Sequence, residues 1–260
     1  MIRNGNKIQM GIAMVLFFMV IAPVFAQNED LFMAGNDFYK NGKYQEAVEK
    51  YLQVSENGEQ SPALYYNLAN SYYKLNQIAP SIYYYEKALS LDPDDEDIKN
   101  NLTYAKNMTV DAIDVMPQTG VDKLVENVIG RLSYNTWAVL SIAFMVLFVV
   151  LFLLYYFSRY QLKKRFYFAI SALSLIASLS SLGFAFNQHG IAQSNNPAIV
   201  FAKETSVMSE PNMGSEEVFL LHEGTKVNVM NTLGEWKKIK LADGKIGWIP
   251  SSEIKEIKDI

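Results

Sequence analysis

The chain has 260 residues, half of them apolar, with 27 acidic against 23 basic residues and a formal net charge of −4. That balance argues against a nucleic-acid-binding surface, which needs a marked excess of positive charge. There is no cysteine and there are only two histidines, His189 and His222; this excludes a disulfide framework, a thiolate metal site and a cysteine nucleophile, and speaks against a His-rich zinc site or a Ser-His-Asp triad.

The N-terminus carries Arg3 and Lys7 ahead of an apolar run from Met10 to Val24. A basic start, a short apolar core and small residues at Val24 and Ala26 read as a signal peptide over residues 1–26, cut after Ala26. The run is about 15 residues, short of the ~20 that span a bilayer. An uncleaved N-terminal anchor is the alternative.

Residues 27–107 repeat with a period of 34: Gly35 aligns with Ala69, Phe38 with Tyr72, Ala47 with Ser81, Tyr51 with Tyr85 and Val54 with Ala88. Small residues stand where helices must approach closely, and aromatic residues fill the space between them. Gly42 stops a helix, Pro80 sits in the first turn of another, and Asp92-Pro93 closes the second unit. Leu31 to Pro93 resembles two tetratricopeptide (TPR) repeats, and Glu96 to Lys106, with Leu102, resembles a third first helix serving as a polar cap. The acidic run Asp92 to Asp97 reads as a helix N-terminal cap rather than a metal loop.

The TPR resemblance implies a concave binding face built from the first helix of each repeat. Its exposed positions fall on Phe32, Asn36, Tyr39 and Lys40, then on the near copies Tyr66, Asn70, Tyr73 and Lys74. Asparagine amides can pair with a peptide backbone as donor and acceptor together, and aromatic faces can take apolar side chains. The alternative is that these aromatics pack on neighbouring helices. TPRs that clamp a chaperone's EEVD tail carry basic residues where this chain has Phe32 and Tyr66, which speaks against that ligand. Replacing Asn36 and Asn70 by Ala is expected to weaken recruitment and leave the repeats folded.

Residues 108–136 connect the repeats to an apolar region. Val121, Leu124, Val125, Val128 and Leu132 share one helical face, fit either to lie on a membrane surface or to pack on the repeats. Residues 137–157 and 166–186 are uncharged 21-residue runs, each long enough for the ~30 Å hydrocarbon core. The loop between them, residues 158–165, holds four basic and no acidic residues, which assigns it to the cytoplasm and both flanking regions to the outer side. Trp137, Tyr155, Tyr156, Tyr160 and Tyr167 fall near the interfaces. Ser171, Ser174, Ser178 and Ser181 recur at helical spacing and are expected to pack against the first span rather than to line a conduction path.

After a linker at 187–197, the pattern in 198–260 changes to short alternating runs broken by Gly224, Gly234 and Asp243-Gly244. The Leu221-His222-Glu223-Gly224-Thr225 corner, Trp236, and Gly244-Lys245-Ile246-Gly247-Trp248-Ile249-Pro250 resemble a bacterial SH3-like (SH3b) domain. That resemblance implies an aromatic surface, Trp236 and Trp248, for peptidoglycan or a peptide, unless both residues belong to the core. His222 reads as a solvated turn residue.

The expected fold class is multidomain: α-helical TPR repeats, a two-helix transmembrane hairpin and a small all-β SH3-like barrel. This order resembles the BatE-type proteins of Bat aerotolerance operons in Bacteroidetes and spirochaetes. The resemblance implies a bacterial inner-membrane protein with both modules in the periplasm, protein partners bearing von Willebrand A domains, and a role in envelope or oxygen stress. No catalytic residue, metal or cofactor is expected, and no nucleic acid. A non-catalytic scaffold is the first reading, and a peptidoglycan-binding wall sensor acting through the SH3b domain is the second.

Overall fold

Close helix crossings set the architecture of the repeats. In the computed structural model, which describes residues 27–113, 120 and 129–257, residues 27–40 form helix α1. Helices α2 (Tyr44–Glu56), α3 (Pro62–Lys74), α4 (Ile78–Leu91) and α5 (Glu96–Lys106) follow. A Cβ added at Gly35 would lie 2.5 Å from Cε1 of Tyr51, so the small residue is what lets α1 meet α2. At Ala69, the counterpart of Gly35, Ser81 Oγ donates to the backbone carbonyl at 3.0 Å. Ser61 caps α3 through Leu64 N–H, with Pro62 at its first position. Asp95 caps α5 by accepting from the N–H groups of Asp97 and Ile98, so the acidic run is helix-capping as its sequence indicates. Tyr51, Tyr65, Tyr85, Leu64, Leu68 and Ile82 are fully buried between the helices.

The C-terminal region is one antiparallel sheet: β1 (Pro197–Val200), β2 (Glu204–Met208), β3 (Glu217–His222), β4 (Lys226–Leu233), β5 (Trp236–Lys240), β6 (Ile246–Pro250) and β7 (Ile254–Glu256). Its order is β3-β2-β6-β5-β4-β1-β7. Alternation puts Val227, Val229, Ile239 and Ile249 inside. The expected barrel is an open sheet. β2 and β6 pair only at Met208↔Trp248, and the three-residue β7 pairs with β1. At the other edge, the His222 N–H at the end of β3 is taken by the Asp111 carboxylate, 2.7 Å away, instead of by a closing strand.

The repeats and the sheet share one apolar core. Ile199 and Ile257 of the sheet region are buried in the same cluster as Ile82, Tyr85 and Leu102 of the helices. In return, Ile113, just after α5, packs on the core of the sheet. The sequence suggests two separate modules joined through the hairpin; tertiary packing makes them one body, because neither apolar face is covered by its own elements alone.

Between the repeats and the sheet in chain order, two helices form a hairpin, α6 (Tyr134–Phe157) and α7 (Gln161–Ser194), both long and apolar enough to cross a membrane. Only residues 158–160 interrupt the helices; Lys163, Lys164 and Arg165 lie in the first two turns of α7. The serine stripe is the seam. Ser141 Oγ donates to the Ser178 carbonyl at 3.0 Å, Ser178 Oγ returns a bond to the Ser141 carbonyl at 2.9 Å, and Ser174 Oγ donates to the Phe144 carbonyl at 2.8 Å. Ser171 Oγ donates within its own helix, to the Phe168 carbonyl at 2.8 Å; the bonds of Ser141, Ser174 and Ser178 hold the two backbones close. The signal peptide expected at 1–26, and Val121, Leu124, Val125 and Val128 of the connector, lie outside the described residues.

Candidate functional site: the repeat groove and the seam beneath it

The two groove asparagines sit in corresponding polar networks, 34 residues apart. Asn36 Oδ1 accepts from the Tyr51 hydroxyl at 2.7 Å and from Asn67 Nδ2 at 3.0 Å. Asn70 Oδ1 accepts from the Tyr85 hydroxyl at 2.5 Å and from Asn101 Nδ2 at 3.1 Å. Burial pushes the Tyr51 and Tyr85 hydroxyls well above the ordinary tyrosine range, so both remain neutral donors. A carbonyl oxygen has two lone pairs, and both are used in each network. The asparagines therefore offer a ligand N–H donors only, not the donor-acceptor pair expected from sequence. Tyr51, Asn67, Tyr85 and Asn101 escape a reading of exposed helix positions; the shared 34-residue spacing of 36/70, 51/85 and 67/101 is the signal that finds them.

Tyr39, Asn70, Tyr73 and Lys74 line a cavity of about 180 Å³ with Tyr85, Asn101 and the exposed Tyr104. Lys40 is exposed beside it in sequence. Phe32 and Tyr66 turn instead onto the helices, with ring centroids 5.7 Å from Tyr51 and 6.1 Å from Tyr85, and Tyr66 accepts a hydrogen bond from Asn101 Nδ2 at 2.8 Å. Early aromatic positions thus build the wall, and later ones the opening. The networks also revise the expected outcome of Ala substitution. Asn36→Ala would strand the Tyr51 hydroxyl and the Asn67 amide, and each such site costs about 1–3 kcal/mol of fold stability.

Where the sheet meets the helices, a carboxylate sits at each of two points. Glu86 of α4 is 7% exposed and pairs with Lys106 at 2.8 Å and with Lys226 of β4 at 2.6 Å. Burial disfavours its charge, yet Lys226 and Lys106 outweigh burial and hold its carboxyl below the usual range. Asp111 accepts from the His222 N–H at 2.7 Å, from Thr225 Oγ1 at 2.6 Å, and from His222 Nδ1 at 2.7 Å. Partial burial opposes its ionisation, and the bonds from Thr225 and His222 overcome that and keep its carboxyl low. His222 is thus a bonded seam residue, not a solvated turn residue.

The hydrogen bond to Asp111, helped by the charges of Asp111 and Glu204, raises the pKa of the His222 imidazole above its ordinary value. A raised folded-state value means that the stabilisation is fully present below the unfolded value of about 6.5 and is lost as pH rises through the folded one. Exchange of the His222 and Thr225 amides is expected to speed up as pH rises through that window, beyond the intrinsic chemical increase. His222→Gln should remove this extra pH dependence; an unchanged profile in the variant would assign the effect to another group.

Trp236 and Trp248 are half-buried on the outer face of β5 and β6. Trp236 pairs with Leu233 and Pro250, Trp248 pairs with Lys238, and the Lys238 ammonium lies 5.9 Å from the Trp248 ring centroid. The inner face is taken by Ile239 and Ile249, so neither Trp is full core.

Comparison with known families agrees with these two regions. Residues 62–95 match the tetratricopeptide repeat family, residues 35–76 a TPR repeat family, and residues 204–255 the bacterial SH3 domain family. No curated protein matches the chain. Among solved structures, the first TPR of Spaghetti (RPAP3) bound to the HSP90 peptide SRMEEVD is 22% identical. That match covers 32% of this chain and 92% of the other, with a TM-score of 0.23.

Proposed function

We propose that the chain is a non-catalytic scaffold of the bacterial inner membrane that recruits a protein partner through the TPR groove. The observation that carries this reading is the duplicated asparagine network, which occupies both amide oxygens and leaves the amide N–H groups of Asn36 and Asn70 as the donors, Asn70 lining the cavity with Tyr39, Tyr73 and Lys74. Donors repeated along a face suit the carbonyl oxygens of an extended peptide, and the tyrosines suit its side chains. The shared apolar core of repeats and sheet supports the topology: the repeats precede the hairpin and the sheet follows it, so the chain must cross the membrane an even number of times between them. With the basic turn at 159–165 on the cytoplasmic side, both modules are periplasmic.

In this reading the domains run as the sequence divides them: signal peptide 1–26, repeats 27–107, connector 108–136, spans 137–157 and 166–186 around the loop 158–165, linker 187–197, and SH3b domain 198–260. The partners fitting the BatE-like order are membrane proteins with von Willebrand A domains, in an envelope or oxygen-stress complex. A second reading, peptidoglycan binding, rests on the outer-face Trp236 and Trp248.

Asn36→Asp with Asn70→Asp tests the groove better than alanine. The remaining oxygens still accept from Tyr51, Asn67, Tyr85 and Asn101, while the amide donors are lost and negative charge takes their place. Affinity capture from detergent-solubilised membranes should recover at least roughly tenfold less partner, as expected for loss of two hydrogen bonds of about 1 kcal/mol each, at unchanged helicity. Recovery equal to wild type would remove the groove assignment. Retention on purified peptidoglycan that falls with Trp248→Ala would favour the second reading.

A further inference from the structure

The turn of the hairpin holds a cavity of about 370 Å³ lined by Tyr155, Gln161, Lys164, Arg165 and Phe168. That volume is in the range of small-molecule sites. Its walls divide by chemistry. Tyr155 and Phe168 pack against one another as tilted rings, with centroids 5.4 Å apart and planes at 49°, and make an apolar side. Gln161, Lys164 and Arg165 supply amide, ammonium and guanidinium donors. Lys164 is held in place over the Tyr155 ring, its ammonium 5.1 Å from the centroid. No acidic residue occurs between 134 and 203, and among the described residues neither Lys164 nor Arg165 has a carboxylate partner. Two cations next to apolar aromatic walls, unneutralised by the protein, call for a ligand that is anionic at one end and apolar at the other.

We propose that this cavity binds the phosphate of an anionic phospholipid, with Lys164 and Arg165 on the phosphate, Gln161 on the headgroup and the Tyr155–Phe168 pair against the glycerol and upper acyl chain. The inference rests on the reading of α6 and α7 as membrane spans. A soluble phosphate would satisfy the cations but leave the aromatic wall unused, which is why the lipid is the occupant. Arginine and lysine at such a depth keep their stems in the apolar layer and their charges at the headgroups.

The test uses the full-length protein in detergent, titrated with phosphatidylglycerol or phosphatidylcholine and read by native mass spectrometry. Wild type should retain phosphatidylglycerol over phosphatidylcholine, and Lys164→Ala with Arg165→Ala should lower that retention roughly tenfold. Arg159→Ala with Lys163→Ala removes the same charge from residues that do not line the cavity, and should lower it less than about twofold. Equal losses in the two double variants, or no preference between the lipids, would overturn the site. Displacement of the lipid by excess inorganic phosphate would make a free anion the ligand and overturn the lipid assignment. Alkaline carbonate washing of cell membranes separates the premise from the proposal: release of the protein sinks the membrane reading, whereas retention with no lipid preference sinks only the site.

Discussion

Gly224→Val is expected to be among the most damaging single substitutions in the repeat-sheet body, lowering stability by about 2–5 kcal/mol. Gly224 turns the chain between β3 and β4 at φ +86°, and a Cβ there would meet Thr109 Cγ2 at 2.8 Å, Ile78 Cγ2 at 3.0 Å and Ile82 Cδ1 at 3.1 Å. Two costs combine: a β-branched residue in the left-handed region, and extra carbon driven into a seam already filled by α4. Because Ile82 lies in the core shared by helices and sheet, the damage should reach both. Thermal unfolding of the detergent-solubilised chain should shift down, with hydrogen-exchange protection lost in α4 as well as in β3 and β4. Gly234→Ala is the control: φ is +58° but nothing lies within 4 Å of the added carbon, so only the conformational cost of about 1–2 kcal/mol applies. Equal effects at the two glycines would show that the seam is not tightly packed.

Removing both ammonium groups from Glu86 should be comparably severe. Lys106→Met with Lys226→Met leaves a carboxylate that is 7% exposed without a counter-charge, at a cost of about 3–5 kcal/mol near neutral pH. The pH dependence should then change sign. In the native chain the Glu86 carboxyl lies below its ordinary value; its stabilisation is present above the unfolded value of about 4.3 and is lost as pH falls through the folded value. In the double variant burial acts alone and raises the carboxyl, so acidification should relieve the defect. Glu86→Gln added to the double variant should recover much of the loss at neutral pH. Thermal midpoints between about pH 4 and 8 decide it; a double variant that tracks wild type at every pH would mean the ion triad contributes nothing.

Much of the layout is legible along the chain because it is written in local terms. The 34-residue spacing, the small residues at Gly35 and Ala69, the Asp95 cap and the apolar runs behind α6 and α7 each follow from neighbours in sequence or from helical period. The serine stripe is equally readable, since hydroxyls in an apolar helix need backbone partners. The groove is only half legible. Tyr39, Tyr73 and Lys74 line its cavity as helix phase suggests, whereas the use of Asn36 and Asn70 depends on Tyr51 and Tyr85 reaching them from the second helix of each repeat.

By itself the sequence determined which segments are helix, strand and apolar hairpin, and which family each soluble part resembles. The tertiary structure alone decided that the repeats and the sheet are one body. That union comes from pairings at separations of more than a hundred residues: Asp111 with His222, Glu86 with Lys226, and Ile199 with the helical core. No periodicity marks such contacts, because each side is an ordinary surface position until the other covers it. The same packing leaves the sheet open where a barrel was expected: the His222 N–H is spent on the carboxylate of Asp111, and a backbone donor satisfied there has no closing strand to seek.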